Sequence, residues 1–164
     1  LFSDRNSDSL TEFVKDCVLE TDLEIRIPDD YVNNVAERLS LYQDMDNIKG
    51  QEELDRFVKE LEDRFGPIPE KVNELMRSFK LRWLAQELGI EKLVLKSNKM
   101  IGYFITNPKS EYYQSPTFTK VLDYMQKNPK VAKLSEKNDR LRIIYDDVQT
   151  LTVAYEHINI ILKL

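Results

Sequence analysis

The stretch QEELDRFVKELEDRFGPIP, Gln51–Pro69, decides how the chain is read. Leu54, Phe57, Val58, Leu61 and Phe65 recur at spacings of three and four, which puts all five on one face of a helix. Gly66 supplies a left-handed stop and Pro67 forbids continuation. Pro69 suits the first turn of the next helix, whose apolar positions include Val72, Leu75, Met76, Phe79, Trp83 and Leu84 before Gly89 ends it. Two helices therefore meet at a sharp turn.

Toward the N-terminus, Asn34 with Glu37 three residues on predicts a capping box, opening a helix through Leu39 and Tyr42. From Asp22 to Ile27 apolar and polar residues alternate, with Leu23, Ile25 and Ile27 against Asp22, Glu24 and Arg26. That pattern predicts a half-buried strand stopped by Pro28-Asp29-Asp30. Residues 1–12 are polar and lack periodicity, and are read as a flexible linker remnant of an excised piece that lacks an initiator Met.

Toward the C-terminus the period changes. Leu93–Leu95 and Met100–Ile105 predict a hairpin across Ser97-Asn98-Lys99, and Ser115-Pro116 opens a helix continued by Val121, Leu122 and Met125. Val131–Leu134 and Leu141–Tyr145 predict a second hairpin across Lys137-Asn138-Asp139. A final helix is expected from Asp146-Asp147, with Val148, Leu151, Tyr155, Ile158 and Leu162 inward. The expected fold is a single α+β domain over residues 13–164. Its N-terminal half is helical with one early strand; its C-terminal half is strand-rich, with two hairpins and a terminal helix.

The 164 residues suffice for one core, and 41% hydrophobic with 32% charged residues excludes a disordered composition. One Cys excludes an internal disulfide framework, and no apolar run reaches membrane-span length or forms a signal peptide. The expected setting is cytoplasmic. The net charge of −5 is uneven: residues 1–64 hold 8 basic and 18 acidic side chains, residues 65–164 hold 16 and 11.

Function classes can be tested in turn. Gly50, Gly66, Gly89 and Gly102 are isolated and no Gly-Lys-Ser/Thr occurs, so the chain has no phosphate cradle of its own. Nucleophilic catalysis would need Cys17 beside the single imidazole, His157, and one Cys with one His cannot close a zinc site. No catalytic residue, cofactor-binding residue or metal ligand is assigned. The carboxylate pairs Asp29-Asp30, Asp44/Asp46, Glu52-Glu53 and Asp146-Asp147 read better as helix-start charges than as hydrolytic pairs.

The segment 120–142 carries Lys120, Lys127, Lys130, Lys133, Lys137, Arg140 and Arg142, offset by Asp123, Glu136 and Asp139. It offers an alternative reading, a nucleic-acid-binding accessory module, with Tyr112-Tyr113 as a weak stacking candidate; solvated lysines are favoured. On the central helix the apolar stripe leaves Glu60, Asp63 and Arg64 together on the outside. The bland account is a solvated face with a Glu60–Arg64 pair. Asp63 opposes the C-terminal dipole, which raises the question of a role outside the helix.

Three stretches carry a resemblance: IRIPDDYVNNVAERLSLY (Ile25–Tyr42), ELEDRFGPIPEKVNELM (Glu60–Met76) and LAQELGIEKL (Leu84–Leu93). Their order, IP-x-x-Y, RL-x-x-Y and E-x-x-DRFG-x-x-P, resembles the C-terminal domain of the bacterial transcription-repair coupling factors across roughly residues 13–164. Val32-Asn33-Asn34 departs from the family, which often has an Asp or Pro there.

The resemblance implies a non-catalytic regulatory domain within a DNA translocase whose ATP and Mg are used elsewhere in the parent chain. It implies packing on a UvrB-like module of the same polypeptide, masking the UvrA-binding surface and restraining translocation, with Glu60, Asp63 and Arg64 making the contact. The parent's implied partners are UvrA, RNA polymerase and DNA. The isolated domain is expected to be a monomer or weak dimer.

Overall fold

The order of elements in the computed structural model, which describes residues 13–164, follows from local signals. Strand β1 (Val18–Thr21) precedes helices α1 (Val35–Met45), α2 (Gln51–Phe65) and α3 (Glu70–Leu88). Strands β2 (Ile90–Lys96) and β3 (Lys99–Phe104) come next, then a 3-10 turn at Glu111–Gln114. Helix α4 (Pro116–Lys127), strands β4 (Ala132–Lys137) and β5 (Arg140–Tyr145) and helix α5 (Leu151–Leu162) complete the chain. The class is mixed α+β, as expected. The expected linker at residues 1–12 lies outside the described residues, among which no helix is long and apolar enough to cross a membrane.

Two compact units are present, Ile25–Ser78 and the remainder of the described chain, and their boundary falls inside α3 between Ser78 and Phe79. Ile25–Ser78 is helical. Asn34 caps α1, its side chain accepting from the Glu37 N–H; Glu37 itself bonds elsewhere, so the box is half made. Leu54 and Leu61 of α2 are buried, and Phe57, Val58 and Phe65 are half-buried on the same face. Gly66 ends α2 at φ 93°, where a Cβ would be strained. The Pro69 carbonyl accepts from Val72 and Asn73, so Pro69 stands at the cap rather than inside the first turn of α3.

The second unit is built on a five-stranded sheet of order β1-β2-β3-β5-β4, with β1 parallel to β2 and every other pair antiparallel. Both predicted hairpins form. Ser97 and Asn98, then Asn138 and Asp139, all take φ between 53° and 62°, the left-handed pair that matches strand twist. One sheet face is the core: Leu93, Leu95, Met100, Phe104, Ile143 and Tyr145 are at most 2% exposed. Against it the Phe104, Tyr112, Tyr113 and Phe118 rings pack at 5.0–6.2 Å between centroids. The Tyr112 hydroxyl donates to the Leu88 carbonyl. Gly89, at φ 96°, lies where a Cβ would overlap the Tyr112 ring.

Several expectations are corrected. The alternating stretch Asp22–Ile27 does alternate in burial, but beyond the Asp22 N–H, which donates to the Leu95 carbonyl at 3.4 Å, it has no ladder partner among the described residues; the strand is Val18–Thr21, whose burial does not alternate. Period two reports which way side chains face, and a strand also needs a neighbour. The last helix starts at Leu151 under a Thr150 cap, because Asp147 at φ 57° breaks the chain direction first. Asp146 pairs with Lys99 at 3.6 Å and caps nothing. Inward positions of α5 are Leu151, Ala154, Ile158 and Ile161, with Tyr155 and Leu162 half-buried. In α3 the fully buried residues after Phe79 are Leu81, Ala85 and Leu88, with Trp83 and Leu84 half-buried; on α4, Leu122 is exposed and Tyr124 inward.

Candidate functional site

Within Ile25–Ser78, most residues of the ordered motif hold the unit together. The Ile27 N–H donates to the Tyr42 hydroxyl at 2.8 Å. The Pro28 carbonyl accepts from Tyr31 and Val32. The Tyr31 hydroxyl donates to the Gly66 carbonyl at 2.8 Å and to the Leu61 carbonyl at 3.2 Å, tying off the open end of α2. Burial, with the nearby Glu62 carboxylate, pushes the Tyr31 hydroxyl above its ordinary value, so it stays a donor. Its ring packs on Phe65 at 5.9 Å. Arg38 donates to the Val32 carbonyl at 2.6 Å and the Asn33 carbonyl at 3.3 Å, and reaches Asp29 at 3.7 Å. Asp29-Asp30 thus serves a loop rather than a helix start. Asp46 stands at the C-terminal cap of α1; Glu52-Glu53 does occupy a helix's first turn.

Arg64 is not paired with Glu60. Its Nη2 donates to Glu37 Oε2 of α1 at 3.0 Å, and its guanidinium lies 4.8 Å from the Phe65 ring centroid. Nearly half of each side chain stays exposed, 48% for Arg64 and 44% for Glu37, so the pair is a surface bridge of modest strength. What it fixes is where the guanidinium points. Glu60 and Asp63 are exposed and make no side-chain hydrogen bond or ion pair among the described residues. Leu39, inside the RL-x-x-Y part of the motif, is 58% exposed, and Val35 one turn earlier 61%. Sequence reasoning missed Glu37 as the Arg64 partner, since no local spacing links two residues 27 apart.

The charge also finds a clearer location. Ile25–Ser78 contains 8 basic and 13 acidic residues, whereas the rest of the chain contains 16 of each. The whole net charge of −5 therefore sits on the unit that carries Glu60 and Asp63.

The other candidate chemistries are not assembled. Cys17 is buried, its Sγ donates to the Val18 carbonyl at 3.8 Å, and burial pushes its thiol up to about 12. His157 lies against the Tyr145 ring at 4.5 Å, and burial lowers its pKa. No contact joins the two. Among the described residues no group of three or more His, Cys, Asp or Glu could hold a metal ion. Tyr112 is 1% exposed and cannot stack a base.

The basic segment is divided between α4 with its following turn and the β4–β5 hairpin. Lys120 donates to the Leu162 carbonyl at 2.9 Å, Arg140 to Glu91 at 2.9 Å, and Arg142 to the Ser135 hydroxyl at 3.4 Å. Lys127 ends α4, Lys130 follows it in a turn, and Lys133 and Lys137 are exposed on β4.

Comparison with known proteins meets this picture at the motif. A family model, the TRCF domain, matches residues 21–115, more than half of the chain. The transcription-repair-coupling factor of Escherichia coli is 33% identical over 131 residues, 77% of this chain and 11% of that protein. The one from Borreliella burgdorferi is 28% identical over 155 residues, 82% of this chain and 13% of that protein. The chain thus spans a small fraction of the length of these relatives. A crystal structure of the C-terminal domain of transcription-repair coupling factor superposes with a TM-score of 0.62 at 17% identity. It covers 90% of this chain and 94% of its own, so one solved domain fold accounts for nearly the whole length. The chain belongs to the TRCF domain family of the transcription-repair coupling factors.

Proposed function

We propose that this chain is the non-catalytic autoinhibitory module of a transcription-repair coupling factor acting in transcription-coupled excision repair in the cytoplasm. It docks on the UvrB-like module of the same polypeptide through Glu60, Asp63 and Arg64, masks the UvrA-binding surface and restrains DNA translocation. One observation carries the reading. In a motif whose other polar side chains are bonded inside the unit, Glu60 and Asp63 face outward without a partner among the described residues.

The energetics suit a lock. A tether makes closure intramolecular, so tight binding is not required. Keeping 99% of molecules closed takes about 2.7 kcal/mol. A few charge-assisted hydrogen bonds at roughly 1.5–3 kcal/mol each supply that, and an ordinary ligand on the open state can overcome it. Arg64 is held by Glu37 at 3.0 Å, so its remaining donors meet the partner without first losing side-chain entropy. The expected partner surface is cationic.

The test reverses charge at Glu60, Asp63 and Arg64 in the full-length parent and measures UvrA binding and basal ATPase activity. Both should rise. A folded variant in which neither changes contradicts the reading.

A further inference from the structure

The strand register defines a second face of the sheet, opposite the core. Val18, Lys92, Tyr103, Arg142 and Ser135 form one row across all five strands; Glu20, Val94, Ile101, Ile144 and Lys133 form the next. Lys96 faces Lys99 beyond the second row, and Arg140 faces Lys137 beyond the first. None of these fourteen residues is buried, whereas the other face is the core.

The chemistry of that face is specific. It holds seven basic residues and one acid, Glu20, which sits on the β1 edge and is taken up by Lys92 at 2.9 Å and Lys96 at 3.9 Å. Flanking Asp146 and Glu91 pair with Lys99 at 3.6 Å and Arg140 at 2.9 Å, and Lys133, Lys137 and Arg142 have no carboxylate partner among the described residues. Val94, Ile101 and Ile144 make an apolar strip through its middle. Tyr103, on the central strand β3, has Lys92 and Arg142 as its register partners. The Arg140 guanidinium is 5.2 Å and the Lys92 ammonium 5.7 Å from its ring centroid. Among the described residues Arg142 is short of acceptors: its Nε is buried with no hydrogen-bond partner, and Nη2 finds only the Ser135 hydroxyl at 3.4 Å.

We infer that this face binds single-stranded nucleic acid. A phosphate chain running across the strands meets cations on every strand from β2 to β4, while an unstacked base lies on the Tyr103–Arg140 planes beside the apolar strip. Sheets that present an aromatic on a central strand among basic neighbours read single strands in this way, because every base has a π-face. An acidic protein segment would use the cations but would leave the aromatic and aliphatic centre idle. Four of the seven cations come from the basic segment 120–142; Lys92, Lys96, Lys99 and Tyr103 do not, which is why no linear window shows the site. This surface lies outside Ile25–Ser78 and stands independently of the docking function.

The test titrates the chain into labelled oligothymidine and oligouridine of about 20 nucleotides, with a duplex of equal length, at about 50 mM salt and upward. Fluorescence anisotropy should show single strands bound in preference to duplex. Tyr103→Leu should weaken binding roughly five- to a hundredfold, the range for one stacked base. Lys133→Glu with Arg142→Glu should lower the slope of log affinity against log salt by about 1.4. Lys127→Glu with Lys130→Glu, off the face, should change neither. Thermal unfolding of each variant confirms that it is folded. Absence of binding overturns the inference, as does a duplex bound equally well. So does polyglutamate competing equally while Tyr103→Leu has no effect, which would mark an acidic-protein surface.

Discussion

Ile25–Ser78 and the sheet-bearing unit are stabilised by different means. In Ile25–Ser78 backbone ends are tied by side-chain hydrogen bonds, Tyr31 on Leu61 and Gly66, Tyr42 on Ile27, Arg38 on Val32 and Asn33. In the other, a sheet face and an aromatic cluster exclude water, and four turn residues at positive φ set the strand pairing. A unit fixed by specific polar bonds needs particular residues at particular spacings. One fixed by burial needs only apolar character and size. The first therefore carries two of the three motif stretches, Ile25–Tyr42 and Glu60–Met76.

That contrast can be broken by substitution, and the largest effect belongs to the buried cluster. Tyr112→Ala removes a side chain 1% exposed together with its bond to Leu88, and should cost about 3–5 kcal/mol in urea unfolding. Next come the two helix-ending glycines. Gly89→Ala meets both a positive φ and the Tyr112 ring, and should cost roughly 2–4 kcal/mol; Gly66→Ala, with open space at its Cβ, should cost only about 1 kcal/mol. Equal costs would show that strain and not packing dominates at both. Tyr31→Phe keeps the ring and loses one donor to two carbonyls, and should cost about 1–2 kcal/mol in the same unfolding measurement. The smallest effect is expected of Glu60→Gln with Asp63→Asn, within about 0.5 kcal/mol, because neither side chain has an internal partner among the described residues.

What the sequence made legible follows the range of each signal. The α2 stripe, the Gly66 and Gly89 stops, the Asn34 and Ser115 caps and both hairpins are decided within a few residues, and all of them form. The early strand and the start of the last helix were misplaced. One depends on a β2 partner more than seventy residues away; the other depends on a left-handed Asp147 that no propensity announces. At the candidate site, local spacing placed Glu60, Asp63 and Arg64 on one face but paired Arg64 with the wrong carboxylate, since Glu37 is brought near only by the packing of α1 on α2. The open sheet face was illegible for the same reason. Its row Lys92, Tyr103, Arg142 exists only once the register is known.

The central claim is that Glu60 and Asp63 face a partner rather than the chain itself. The direct measurement is capture of the parent's UvrB-like module by this chain, with and without Glu60→Gln and Asp63→Asn. Capture at low salt that falls away in the double variant, with unchanged unfolding, is the predicted result. A folded double variant that captures the module as well as the original chain would contradict it.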